Sequence, residues 1–256
     1  MQNILAIWQR EMKSYFVSPI AYVVLTVFLF FSGFFFYSIL NAVVQSAMMQ
    51  AAYGQGAQPM DMPGIVTRNL FGTLSVVLLF MIPMLTMGLF AEEKKRGTIE
   101  LLLTTPVGNL QAMLGKYLAT LTFLLVMFLT SGITVATLFV YGQPEWKPIL
   151  GAYLGLFLYG AALLAVGLFL STLTENQIVA GLITFGVILV LWLVDSFANS
   201  TQGVVRDVLS YLSVISHLDD FIKGVVDTAN VIFYVTFAFV GLFLTYRSLE
   251  SLRWKS

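Results

Sequence analysis

The chain has a single histidine, His217, in the stretch SVISHLDDFIKG, where Asp219 and Asp220 follow it. An imidazole with two carboxylates invites a metal reading, but a protein-bound zinc needs three or four converging ligands. No second histidine and no cysteine exist to complete the set. The same scarcity removes a Ser-His-Asp nucleophile, a thiolate and a disulfide framework. GNLQAMLGKY (Gly108 to Tyr117) has the outline of a phosphate-binding loop. That loop requires Gly, four residues, Gly-Lys and then Ser or Thr. Here six residues separate Gly108 from Gly115, and Tyr117 stands where the magnesium-binding hydroxyl belongs. The segment also opens an apolar helix rather than following a strand, so ATP hydrolysis by this chain alone is not expected. No metal, nucleotide or other cofactor is expected on it.

The densest chemistry is ionic. Glu92, Glu93, Lys94, Lys95, Arg96 and Glu100 crowd into AEEKKRGTIELLLTTPV (Ala91 to Val107), in a chain with only 13 basic and 13 acidic residues. Glu92 and Arg96 are four apart in the order that favours a helix. Gly97 breaks that helix, Thr98 is placed to cap the next one, and Glu100 falls in its first turn, where the helix dipole favours a negative charge. Ile99, Leu102 and Leu103 give the new helix an apolar side, and Thr105-Pro106 ends it. Asn109 is placed to cap the helix that becomes the third span. The expectation is a short capped helix over about 98–105, with charges at one end and leucines along its flank.

The elements that hold this segment are apolar. The chain is 59% hydrophobic and 10% charged, with mean hydropathy +0.89, against roughly 45–50% and 25% in soluble domains. A bilayer takes about 20 apolar residues per helical crossing. Six uncharged runs are long enough, and they place spans near 20–44, 69–91, 114–141, 149–171, 177–197 and 229–247. The expected fold is an all-α integral membrane protein forming one domain over 1–256. Nine basic residues fall on the side of the termini and the 92–100 segment, against four on the other. The positive-inside bias then puts both termini in the cytoplasm. Zero net charge argues against a nucleic-acid partner.

Residues 1–17 read as an interfacial helix on membrane lipid: Ile4, Trp8, Met12 and Tyr15 recur at helical spacing, with Arg10 and Lys13 elsewhere on the turn. Residues 45–68 read as a flexible outer connection, and 204–226 as two short amphipathic helices at the outer surface, re-entrant or lying on lipid. Among ionisable groups near span ends, Lys116 is expected to snorkel to the interface and Asp195 lies near the outer end of the fifth span. Two peripheral charges do not support an ion-coupled transporter or an intramembrane enzyme. Gly151 and Gly155 form a GxxxG spacing that serves either dimerisation or packing within the bundle.

The charged segment also carries a family resemblance. EEKKRGTIELLLTTPV followed by GKYLA is similar to the loop after the second span in ABC transporter permeases of the type-2 exporter superfamily. Their Glu-x-x-x-Gly-Thr-x-Glu-x-Leu-x-x-x-Pro pattern is met by Glu93, Gly97, Thr98, Glu100, Leu102 and Pro106, and their Gly-Lys by Lys116. WQREMKSYFVSPIAYV resembles the same family's N-terminal interface helix. SHLDDFIKGVVDTANVIFYVTF resembles the C-terminal signature of permeases grouped with gliding-motility and copper-enzyme-maturation (nitrous-oxide reductase accessory) systems, departing from it at Leu218, Val226 and Asn230.

The resemblance implies a permease in the inner membrane of a bacterium, paired with a second permease as homodimer or heterodimer. It also implies a cytoplasmic ABC ATPase that carries the ATP and magnesium. Glu92, Glu93, Arg96, Gly97, Thr98, Glu100, Leu102 and Pro106 would couple to that ATPase, and Trp8, Arg10 and Lys13 would belong to the interface helix. The 204–226 helices would gate the outer end, with His217, Phe221, Gly224 and Asp227 as gate residues. The alternative implied by the branch is a non-transporting subunit that passes ATP-driven force to a periplasmic or auxiliary partner.

Overall fold

The computed structural model describes residues 2–52, 61–98, 108–142 and 144–253. The described residues form helices and no strands: α1 (Gln2–Val17), α2 (Pro19–Ala52), α3 (Met62–Thr86), α4 (Ala91–Lys95), α5 (Asn109–Tyr141), α6 (Trp146–Ser171), α7 (Gln177–Ser200), α8 (Val204–Leu212), α9 (Val214–Ile222) and α10 (Thr228–Arg253). Six helices are long and apolar enough to cross a membrane: α2, α3 with its continuation to Lys95, α5, α6, α7 and α10. This is an all-α membrane protein.

Two of these run well beyond the expected spans. The connection read as flexible over 45–68 is helical at both edges, since α2 continues to Ala52 and α3 begins at Met62. The physical reason is that local helix signals outweigh the polar composition. Asp61 accepts the Gly64 N–H at 3.0 Å, Pro63 occupies the first turn where its missing N–H costs nothing, and Ala, Gln and Met carry α2 onward. Asn109 does not cap α5; it is the first helical residue, behind Gly108. The Gln111 side chain reaches back instead, its Oε1 accepting the Gly108 N–H at 3.4 Å.

The core is centred on α3 and α6, whose apolar segments are mostly buried within the chain, while α2, α7 and α10 turn most of theirs outward. Leu70, Phe71, Leu74, Leu78 and Ile82 of α3 meet Leu156, Tyr159, Leu163, Leu164 and Leu168 of α6 in one continuous cluster. Exposed apolar side chains such as Phe30, Phe34, Tyr37, Ile178, Leu182 and Phe239 cover the outer helices. On a water-soluble protein so large an apolar surface would be an aggregation hazard; on a spanning bundle it meets lipid or another subunit.

Small residues set how closely α6 approaches its neighbours. A Cβ at Gly155 would come within 2.3 Å of Phe221 Cβ, and Gly151 lies against the Phe221 carbonyl and Gly224. The GxxxG pair therefore packs α6 onto α9 inside the chain. Thr120, Thr130, Thr137 and Thr184 each bond a carbonyl of their own helix, which satisfies their hydroxyls in an apolar setting.

A buried ionic knot and the candidate coupling site

At the end of the bundle where α3 stops and α5 begins, three elements converge on Lys116. Pro83 lies inside α3, which ends at Thr86. After a turn, α4 restarts the chain at Ala91 and carries Glu92 to Lys95 in one short helix. The Lys116 side chain is only 3% exposed, and its ammonium donates to Glu11 Oε1 at 3.1 Å and to Glu93 Oε1 at 3.0 Å. Arg10 closes the figure, bonding Glu11 Oε1 at 2.9 Å and Glu93 Oε1 at 3.1 Å. Two cations and two carboxylates alternate, so the local charge sums to zero. Phe90 lies under the Lys116 ammonium, 5.3 Å from ring centroid to nitrogen, a cation–π contact.

Lys116 does not snorkel. Two carboxylates reach it from outside its own helix, so its charge is neutralised where it stands, and burial without them would cost several kcal/mol. Burial pushes the Glu11 carboxyl up, but Lys116 and Arg10 outweigh it and hold the group below the usual carboxylate range. The bond to Glu11, opposed by partial burial, raises the Arg10 guanidinium. Glu93 Oε2 is buried and has no hydrogen-bond partner among the described residues. That side of the carboxylate is unpaired in a place where an unmet acceptor is expensive.

The apolar stripe expected on lipid has a protein partner. Ile7 is buried, and a Cβ at Gly115 would meet its Cγ2 at 2.7 Å. The Trp8 indole donates to Thr122 Oγ1 at 3.0 Å, Asn3 donates to Gln111 at 3.1 Å, and the Tyr15 ring lies 5.3 Å from that of Phe123. α1 is thus clamped along the first turns of α5. Lys13 is exposed and makes no ion pair among the described residues.

The charged segment divides its side chains by direction. Glu92 pairs with Arg96 on the exposed side, as their spacing required; an exposed pair of this kind contributes at most about 1 kcal/mol. Glu93 points inward to Lys116. The Lys94 ammonium donates to the Thr172 carbonyl at the end of α6. Gly97 turns the chain with φ +66°, a left-handed conformation that side chains other than glycine resist. Thr98 hydroxyl donates back to the Glu93 carbonyl at 3.2 Å. Glu100, Leu102 and Pro106, with the rest of the helix expected over 98–105, lie outside the described residues.

Residues 5–249 match the family model described as ABC-2 family transporter protein. The chain belongs to this family. Among curated proteins no sequence match was found. Membership makes the chain a multi-pass permease subunit of an ABC system, a membrane component that is not itself an ATPase. It implies an ABC ATPase partner and, typically, a second permease subunit.

At the permease's opposite end, the four residues singled out from the C-terminal signature build a corner between α9 and α10. His217 Nδ1 donates to the Ser213 carbonyl at 2.8 Å, and the ring stacks on Phe233 with centroids 3.8 Å apart. Phe221 is fully buried against Gly155. Gly224 takes φ +84° close over Pro148, where a Cβ would come within 2.9 Å of backbone. Asp227 Oδ1 accepts the Ala229 N–H at 3.0 Å and so caps α10. The Asp219–Lys223 pair forms at 3.6 Å. Among the described residues no group of three or more histidine, aspartate or glutamate side chains converges as a metal site.

Two features of this end were not read from sequence. The break between the short helices falls at Ser213, whose side chain caps the Ser216 N–H, so Ile215 belongs to α9. Asp195 accepts both the Ser213 and Ser216 hydroxyls, at 3.1 and 2.6 Å, tying α7 to the start of α9. α8 itself has no buried residue. At the knot, Glu11 went unassigned. The signal for it was the cation at 116, which had to find an anion if it did not reach water.

Proposed function

We propose that this permease receives ATP-driven movement from a separate cytoplasmic ATPase at residues 92–106 and passes it into the bundle through the knot at Lys116. The observation that carries this reading is one ammonium shared by Glu11 of α1 and Glu93 of α4 while it sits on α5. A push on α4 is felt at once by the N-terminal helix and by a membrane-crossing helix. In this reading Glu92, Arg96, Thr98, Glu100, Leu102 and Pro106 meet the ATPase, Glu93 faces inward as the brace, and Gly97 sets the turn between them.

Both termini and the knot then face the cytoplasm of a bacterial inner membrane, with ATP and magnesium held by the partner and no cofactor on this chain. A second permease, identical or related, completes the path for a substrate, and the corner formed by His217, Phe221, Gly224 and Asp227 governs its outer end. The C-terminal signature supports the gliding-motility and copper-enzyme-maturation branch. It thereby favours a second reading, in which the same movement is delivered to an auxiliary protein outside the membrane instead of to a solute.

The test is co-purification with the cognate ATPase. Deleting 98–105, or replacing Glu100 by Ala, is expected to abolish capture of the ATPase while the permease remains in the membrane. Undiminished capture after both changes contradicts the assignment.

A further inference from the structure

Neighbouring residues of α4 grip different parts of the bundle. Glu93 reaches α1 and α5 through Lys116, while Lys94 reaches α6. The acceptor for Lys94 is the carbonyl of Thr172, the residue that closes α6. The last carbonyls of a helix have no intrahelical donor and carry the negative end of its dipole. An ammonium there both supplies a donor and places a cation where the helix favours one. Thr172 is itself 1% exposed, and its hydroxyl donates to Ser248 Oγ of α10 at 2.7 Å.

From that end α6 runs without a break for 26 residues, about 39 Å at 1.5 Å per residue, which is the thickness of a bilayer. It contrasts with α3, which carries Pro83 and stops at Thr86. Close contacts leave it little room to slide independently of its neighbours. A Cβ at Gly167 would meet Thr86 Oγ1 at 2.4 Å, and one at Gly241 of α10 would meet the Ala165 backbone at 2.9 Å. At its far end Gly155 receives Phe221 of α9, and Pro148 lies against Gly224 in the α9–α10 corner.

We infer that Lys94 is a positioning residue that fastens α4 to the C-terminal end of α6, so that α6 carries movement of the charged segment across the membrane to α9. This rests on the coupling role proposed above and adds a second route to it. Glu93 delivers to α1 and α5, and Lys94 delivers to α6, α10 and the opposite surface.

The chain has no cysteine, so a single label reports one position. Val225→Cys places it in the exposed turn between α9 and α10. The permease–ATPase complex, in vesicles, is labelled with a membrane-impermeant maleimide with and without ATP and vanadate. In the otherwise unchanged chain the labelling rate is expected to change by about fivefold or more, the lower range for coupled sites.

Lys94→Met removes the donor and keeps the chain length. It is expected to reduce that change to less than about twofold, with ATPase capture intact, and Lys94→Arg is expected to restore it. Thermal unfolding in detergent guards against a folding defect in Lys94→Met, whose midpoint is expected to stay close to that of the unchanged chain. A full nucleotide-dependent change in Lys94→Met overturns the inference while the coupling role stands. No change in the Lys94-intact complex overturns the coupling role and the inference with it.

Discussion

The Lys116 ammonium stands 3.0 Å from Glu93 Oε1, joining a residue of a membrane-crossing helix to one of the most charged segments of the chain. Both groups are largely removed from water, at 3% and 17% exposure. In such a setting the pair is less a source of net stability than a constraint, because desolvation offsets most of the attraction. Removing one partner is the damaging change.

Lys116→Met should therefore leave Glu11 and Glu93 facing each other with only the exposed Arg10 between them. The expected loss is on the order of 3 kcal/mol, read as a lowered midpoint of thermal unfolding in detergent. Adding Glu93→Gln to Lys116→Met should recover part of the loss, since it removes the uncompensated anion. An unchanged midpoint for Lys116→Met would show that the ammonium is not held by these carboxylates.

Acid should loosen α1. The Glu11 carboxyl lies below its free value in the folded chain. Its contribution is thus complete above about pH 4.3 and drains away as pH falls through the lower, folded value. A spin label at Lys13→Cys should report a helix that stays immobile from neutral pH into the ordinary carboxylate range and gains mobility below it. Glu11→Gln should raise that mobility at neutral pH as well. A label whose mobility ignores both pH and Glu11→Gln would place the hold on α1 elsewhere.

Gly155 and Phe221 should behave as one packing unit. Gly155→Val forces atoms into space occupied by Phe221 and should cost about 1–3 kcal/mol through overpacking. Phe221→Ala alone empties a fully buried site and should cost about 3–5 kcal/mol. Combined, the two should cost clearly less than their sum, because the new side chain fills part of the vacated volume. Strict additivity in unfolding measurements would separate the two residues in space.

The fold was legible wherever it rests on one-dimensional quantities. The number of long apolar helices follows from the uncharged runs, and the i, i+4 pairs Glu92–Arg96 and Asp219–Lys223 follow from spacing along a single helix. What escaped was lateral. The stripe of Ile4, Trp8 and Tyr15 suits lipid and a neighbouring helix equally well, and only tertiary contact with Gly115, Thr122 and Phe123 decides between them.

Lys116 shows the same limit in electrostatic form. Proximity to a span end predicts snorkelling, while residues 105 and 23 positions away supply Glu11 and Glu93. In the connection 45–68, the polar and Gly-Pro composition masks a strong capping signal at Asp61. The assignment of Gly151 and Gly155 to packing within the chain needed Phe221, which lies on an element too short for its pairing to be visible in sequence.

The central claim is that the knot transmits, and does not merely hold. Its most direct test is ATP turnover by the ATPase bound to permease carrying Lys116→Met, compared with Lys116→Arg and the unchanged chain. The expected result is that the ATPase is still captured through residues 92–106, but Lys116→Met loses the effect of the permease on its turnover, by about fivefold or more, and Lys116→Arg keeps most of it. Capture with full, unaltered stimulation in Lys116→Met would contradict the account.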